Sequence, residues 1–163
     1  MDVKAALKGQ YHAALATLKQ AIEPCPAELW VCDDVPAPFW QVAYHTLFFT
    51  NFYLMASREA FLQGGGWPGG RMYLEDLGHR QAGDEPPYSQ AEMLAYWQFC
   101  DDLVDPAVEQ CDLDAAECGF PWYPLPKLDH QLVNIRHIQH HAAVLASRLK
   151  HAGGPSVGWV GSA

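Results

Sequence analysis

Long apolar runs are missing from the sequence. No stretch of about twenty uninterrupted apolar residues exists, so a membrane-spanning helix is not expected. The greasiest run, from Phe39 to Met55, carries Gln41, His45, Thr46, Thr50 and Asn51. The N-terminal stretch MDVKAALKGQYHAALATLK has no apolar signal region. Positive charge is scarce as well. Ten Lys and Arg stand against nineteen Asp and Glu, a formal charge of −9. Such a surface repels phosphate backbones and anionic lipid, which argues against nucleic acid or membrane as a partner. Paired-cysteine motifs are also lacking. Cys25, Cys32, Cys100, Cys111 and Cys118 are an odd number with no CxxC, so neither a disulfide framework nor a four-thiolate zinc site is suggested. A cytoplasmic protein is expected.

What remains is enough for one packed domain. Half of the 163 residues are hydrophobic and 18% are charged, which excludes a disordered chain. Strand signals are weak, and four helical stretches stand out. Leu7, Tyr11, Ala14, Leu18 and Ile22 follow helix period, and Pro24 and Pro26 close that segment. A second helix opens after VPAP, with Pro38 in its first turn, and runs to about Leu62 before GGGWPGG. Residues 71–88 read as a long loop with at most one helical turn. Ser89-Gln90-Ala91-Glu92 is a capping box that starts the third helix, which Pro106 kinks or ends. The last helix spans about Lys127 to Lys150, and Gly153-Gly154-Pro155 closes it. The expected fold is all-α, a four-helix bundle with long inter-helix connections. Residues 1–152 form its single domain, and 153–163 a flexible tail.

The eight histidines carry the functional signal. His45 has Val42, Phe48, Phe49 and Phe52 as helical neighbours, an apolar face on which an imidazole needs a specific partner. His137 and His141 are four apart, one turn from each other on one face. On a wheel, Leu128, Gln131, Ile135, Ala142, Ala146 and Leu149 mark the core stripe. His141 lies at its edge and His137 about 40° further out, while His140 projects to the other side. One histidine on one helix and an HxxxH pair on another can hold a divalent metal between facing helices. Three neutral imidazoles suit zinc first, with nickel, cobalt and ferrous iron also compatible. Three protein ligands leave a fourth position open, the pattern of a reactive rather than a structural metal.

QVAYHTLFFTNFYL together with NIRHIQHHAAVLASRL resembles the DinB/YfiT-like superfamily of bacterial metal-binding four-helix bundles. GQYHAALATLKQAI in the first helix is compatible with it, and the similarity extends to about His151. The resemblance implies a metal triad at His45, His137 and His141. The final helix departs from many members, in which Gly and Gln follow the second His; here Ala142, Ala143 and Val144 do. Characterised members include metal-dependent transferases that use low-molecular-weight thiols and thiol-dependent isomerases, and the group is associated with damage or stress induction. The resemblance therefore implies a metal-dependent enzyme, a thiol-dependent transferase or a hydrolase, acting on a small molecule. The alternative is a non-catalytic metal- or ligand-binding module of a stress response. A metal would activate a thiol or water, in a pocket lined by Tyr44, Phe48 and Phe49. Asn134, one turn before His137, either orients a ligand or is a polar group on the helix face. His130 and His140 read as surface groups or as supports for the ligands, and His12, His79 and His151 as surface residues. Asp101 and Asp102 point about 100° apart and read as solvated. Bundles of this size often pair, so a homodimer is expected.

Overall fold

The computed structural model describes residues 2–32, 37–70 and 86–163. Among these, secondary structure is entirely helical. α1 spans Val3–Ile22, α2 is the short Ala27–Trp30, and α3 spans Phe39–Leu54. α4 is the single turn Arg58–Ala60, continued by an irregular turn over Phe61–Gly65 in which Gly64 takes φ +114°. α5 spans Gln90–Gln110 and α6 spans Lys127–His151. The stretch 71–85, most of the segment read as a loop, lies outside the described residues, as do His79 and the first half of VPAP.

The four long helices form the bundle. α1 and α3 each pack against both α5 and α6. Helices consecutive in sequence therefore need not be neighbours, and α3 and α6, the two histidine-bearing helices, lie side by side.

Local chemistry accounts for the element ends. Asp2 caps α1 through its carboxylate and the Ala5 amide, 3.0 Å apart. At α5 the capping box forms: the Glu92 amide donates to Ser89 Oγ at 3.2 Å, and the Ser89 amide donates to Glu92 Oε2 at 2.7 Å. At the end of α6, Gly153 takes φ +78°. Its amide reaches Lys150 O and the Gly154 amide reaches Leu149 O, the double closure that favours glycine.

Two expectations change. The second helix stops at Leu54, not near Leu62, because Ser57 caps a new turn by accepting from the Ala60 amide at 3.3 Å. Pro106 does not end the third helix, which continues to Gln110. Val104 and Val108, both fully buried, hold the last turns of α5 against the core despite the lost backbone donor.

α3 is apolar on nearly every side, with thirteen buried residues. Its two deep threonines return their hydroxyl hydrogens to the helix, Thr46 to Val42 O and Thr50 to Thr46 O, each at 2.7 Å. The buried residues of α6 are Lys127, His130, Gln131, Asn134, Ile138, Ala142, Leu145 and Leu149. They include more polar residues than the wheel anticipated, and Leu128, Ile135 and Ala146 sit only at their margin. Tyr11 of α1 meets these residues, its hydroxyl donating to Gln131 Oε1 at 2.8 Å. The final residues run back along α1: the Gly158 amide donates to Gln20 Oε1 at 2.9 Å and Gln10 Nε2 to Gly161 O at 3.2 Å.

Candidate metal centre

His45 sits on the half-exposed edge of α3, in line with Gln41 and Phe49 at four-residue spacing, not on its deepest face. That edge faces α6. There His45 Nε2 and His137 Nε2 approach to 3.1 Å. The His141 ring stands 4.8 Å from that of His45 and 4.5 Å from that of His137. One ligand atom from each of the three lies within 4.8 Å of the others. Two nitrogens bound tetrahedrally to one zinc at about 2.0–2.1 Å are roughly 3.3 Å apart. The first pair is close to that spacing, and the His141 ligand atom lies within 4.8 Å of both.

The electrostatics favour the ligating form. Burial, then the neighbouring His141, His45 and His140, push His137 down to about 3. Burial, with His45 and His140, pushes His141 down to about 4. Both rings are neutral at pH 7 and offer lone pairs. The donor set is three imidazoles, and among the described residues no carboxylate or thiol joins the cluster. His137 Nδ1 is buried without a hydrogen-bond partner. The ring is oriented by packing instead, with Phe49 edge-on at 5.6 Å. The same Phe49 meets His45 at 4.8 Å.

Beside the triad is a pocket of about 220 Å³ lined by His45, Phe49, Tyr53, Tyr123, Val133 and His137. Of the residues expected to line it, Phe49 does. Tyr44 is buried against Tyr88, their rings stacked 4.9 Å apart. Phe48 is buried between Phe52 and Phe61. Asn134 is fully buried, its Nδ2 donating to Thr50 O at 3.3 Å, and it does not line the pocket. Tyr53, Tyr123 and Val133 went unrecognised. Tyr53 follows Phe49 and Val133 precedes His137, each by four residues, a signal that was available; Tyr123 comes from an irregular connection and offers none.

A sequence profile of the DinB superfamily matches residues 10–145. The chain belongs to the DinB superfamily. The match runs from within α1 to beyond His141 in α6, so all three histidines fall inside it. No curated protein and no solved structure matches the chain. None of the described helices of this DinB-superfamily chain is long and apolar enough to cross a membrane.

Other histidines depart from the surface reading. His130 is fully buried against Tyr53, Phe120 and Tyr123, with neither ring nitrogen partnered. His12 joins α1 to α5: its Nδ1 lies 2.7 Å from Asp101 and its Nε2 3.4 Å from Asp105. Asp101 is thus paired rather than freely solvated. His140 is exposed, as the wheel required.

Larger cavities lie elsewhere. One of about 450 Å³ has Met55, Leu103, Cys111 and Lys127 in its wall, and one of about 590 Å³ is formed by the 116–125 connection. Neither is lined by a triad residue. In the first, Lys127 Nζ donates to Met55 O, Ala56 O and Cys118 O, so its three hydrogens are already used.

Proposed function

We propose that this chain holds a divalent metal, zinc in the first instance, through His45, His137 and His141, and uses it in a thiol-dependent transfer to a small molecule. The observation that carries this reading is the approach of His45 and His137 to 3.1 Å with His141 beside both. A metal there would make a bound thiol or water a better nucleophile by lowering its pKa. The chain's own residues do the rest. Burial keeps His137 and His141 neutral, and Phe49 fixes the planes of His45 and His137. Tyr53, Tyr123 and Val133 line the adjoining space.

One feature supports transfer from a thiol over hydrolysis. Activating water calls for a general base near the triad, and no carboxylate joins the cluster among the described residues. A thiol needs only to lose its proton, which the metal favours without a base. The five cysteines are free, which suits a reducing, cytoplasmic setting.

The test is consumption of a low-molecular-weight thiol by zinc-loaded protein with a panel of epoxides and alkyl halides. The reading expects metal-dependent loss of thiol that His45→Ala abolishes. Firm metal binding without any such reaction would favour the non-catalytic module instead.

A further inference from the structure

The pocket beside the triad is small and carries a particular chemistry. Its volume is about 220 Å³. An apolar cavity of about 150 Å³ holds benzene, so this one holds a single ring with a small substituent. A peptide-sized thiol would extend beyond it. Three of the six lining side chains are benzenoid rings, and their mutual angles offer edges and faces together. Phe49 and Tyr53 are tilted by 39° at 5.2 Å, and Tyr53 and Tyr123 by 79° at 5.8 Å. Such walls receive another aromatic ring in offset or edge-to-face contact.

Among the described residues, no Asp, Glu, Lys or Arg lines the pocket. The charged residues one turn from Val133 on α6 are Asp129 and Arg136. Both are exposed, and they are of opposite sign. These two neighbours of Val133 therefore add no net charge that would hold an ionic substrate. Tyr53, 5% exposed, is the most buried of the three rings, and His45 and His137 line the same pocket. A ring held against Tyr53 thus shares the pocket with two of the three triad imidazoles.

We infer that this pocket selects a small, uncharged, monocyclic aromatic compound, with its one metal-binding atom directed at His45 and His137. This names the substrate class of the site proposed above and rests on that metal reading for the donor atom alone. The ring-binding part rests on the pocket itself.

The two parts are separable by ¹⁹F NMR titration with (4-fluorophenyl)methanethiol, an alkyl thiol that stays protonated and uncharged at pH 7, with and without zinc. 2-Mercaptoethanesulfonate serves as the charged, non-aromatic competitor. Val133→Trp fills the pocket from a half-exposed position and leaves the three histidines in place. The ring is expected to bind the metal-free protein, and zinc to tighten it at least tenfold, with release of the thiol proton to buffer. Val133→Trp is expected to weaken binding at least tenfold in both forms while retaining zinc. The sulfonate is expected to compete at least tenfold less well than the aromatic thiol. Ring binding that zinc does not tighten would refute the metal reading and leave the pocket assignment standing. Equal competition by the sulfonate, no binding of the ring to either form, or unaltered binding in Val133→Trp would overturn the inference.

Discussion

His45 Nε2 and His137 Nε2 lie 3.1 Å apart although 92 positions separate them in sequence. The contact is made across the α3–α6 seam, one of the tightly packed pairs of the bundle. Side by side, the two neutral rings can share one proton or one cation. His141, one turn on, makes the cation the better fit. Zinc content of the purified protein is therefore expected to fall at least tenfold in His45→Ala and in His141→Ala, and to stay near wild type in His140→Ala. Mass-spectrometric metal analysis checks this. Equal occupancy in all three variants would reject the triad.

His130 presents a different problem. Burial lowers its pKa from 6.5 to about 4, with Lys127 adding to the effect. The folded protein thus resists protonating a ring that the unfolded chain protonates readily. The contribution is fully present above pH 6.5 and is lost as pH falls from there through about 4, at up to about 1.4 kcal/mol per pH unit. His130→Phe keeps the ring stacked on Phe120 and removes two unpartnered nitrogens. It is expected to stabilise the fold by about 1 kcal/mol at pH 7 and to flatten the acid limb. Urea titrations from pH 4 to 8 measure both.

His12 should behave with the opposite sign. Partial burial works against its charge, but the Asp101 and Asp105 carboxylates outweigh this and raise its pKa above 6.5. The ion pair joining α1 to α5 is then fully present below pH 6.5 and fades as pH rises through the elevated folded value. His12→Gln is expected to cost about 1 kcal/mol or less at pH 6 and almost nothing at pH 9. Thermal melts at the two pH values check it.

The bundle was readable because its helix signals are local. The Ser89–Glu92 box and the glycines after His151 act within a few residues, and the structure shows both. The fourfold spacing of His137 and His141 likewise fixes a shared face before any tertiary contact is known. The limits were tertiary. Ser57 ends α3 early because a capped turn competes with an apolar run that suits a longer helix. His130 looks like a surface residue on a wheel drawn from hydrophobicity, yet the Phe120–Tyr123 connection folds over it. The pocket wall failed for the same reason, since Tyr123 belongs to no periodic element.

Lys127 links that connection to the end of α3. Its ammonium is buried, which lowers its pKa, and three carbonyls receive it in place of a carboxylate. Gly119 at φ +88° permits the close approach; a Cβ there would meet Ala56 O at 2.2 Å. Lys127→Met is expected to destabilise by about 2–4 kcal/mol, because three carbonyls lose a charged donor. Chemical denaturation reports the loss. A change below 0.5 kcal/mol, roughly the range of ordinary surface substitutions, would contradict this account.

The central claim is best tested by a crystal structure of zinc-loaded protein with anomalous data across the zinc edge. The account predicts one peak between α3 and α6, about 2.0–2.1 Å from a ring nitrogen of each of His45, His137 and His141. A zinc peak held by other residues, or three histidines without a shared ion in fully loaded protein, would contradict it.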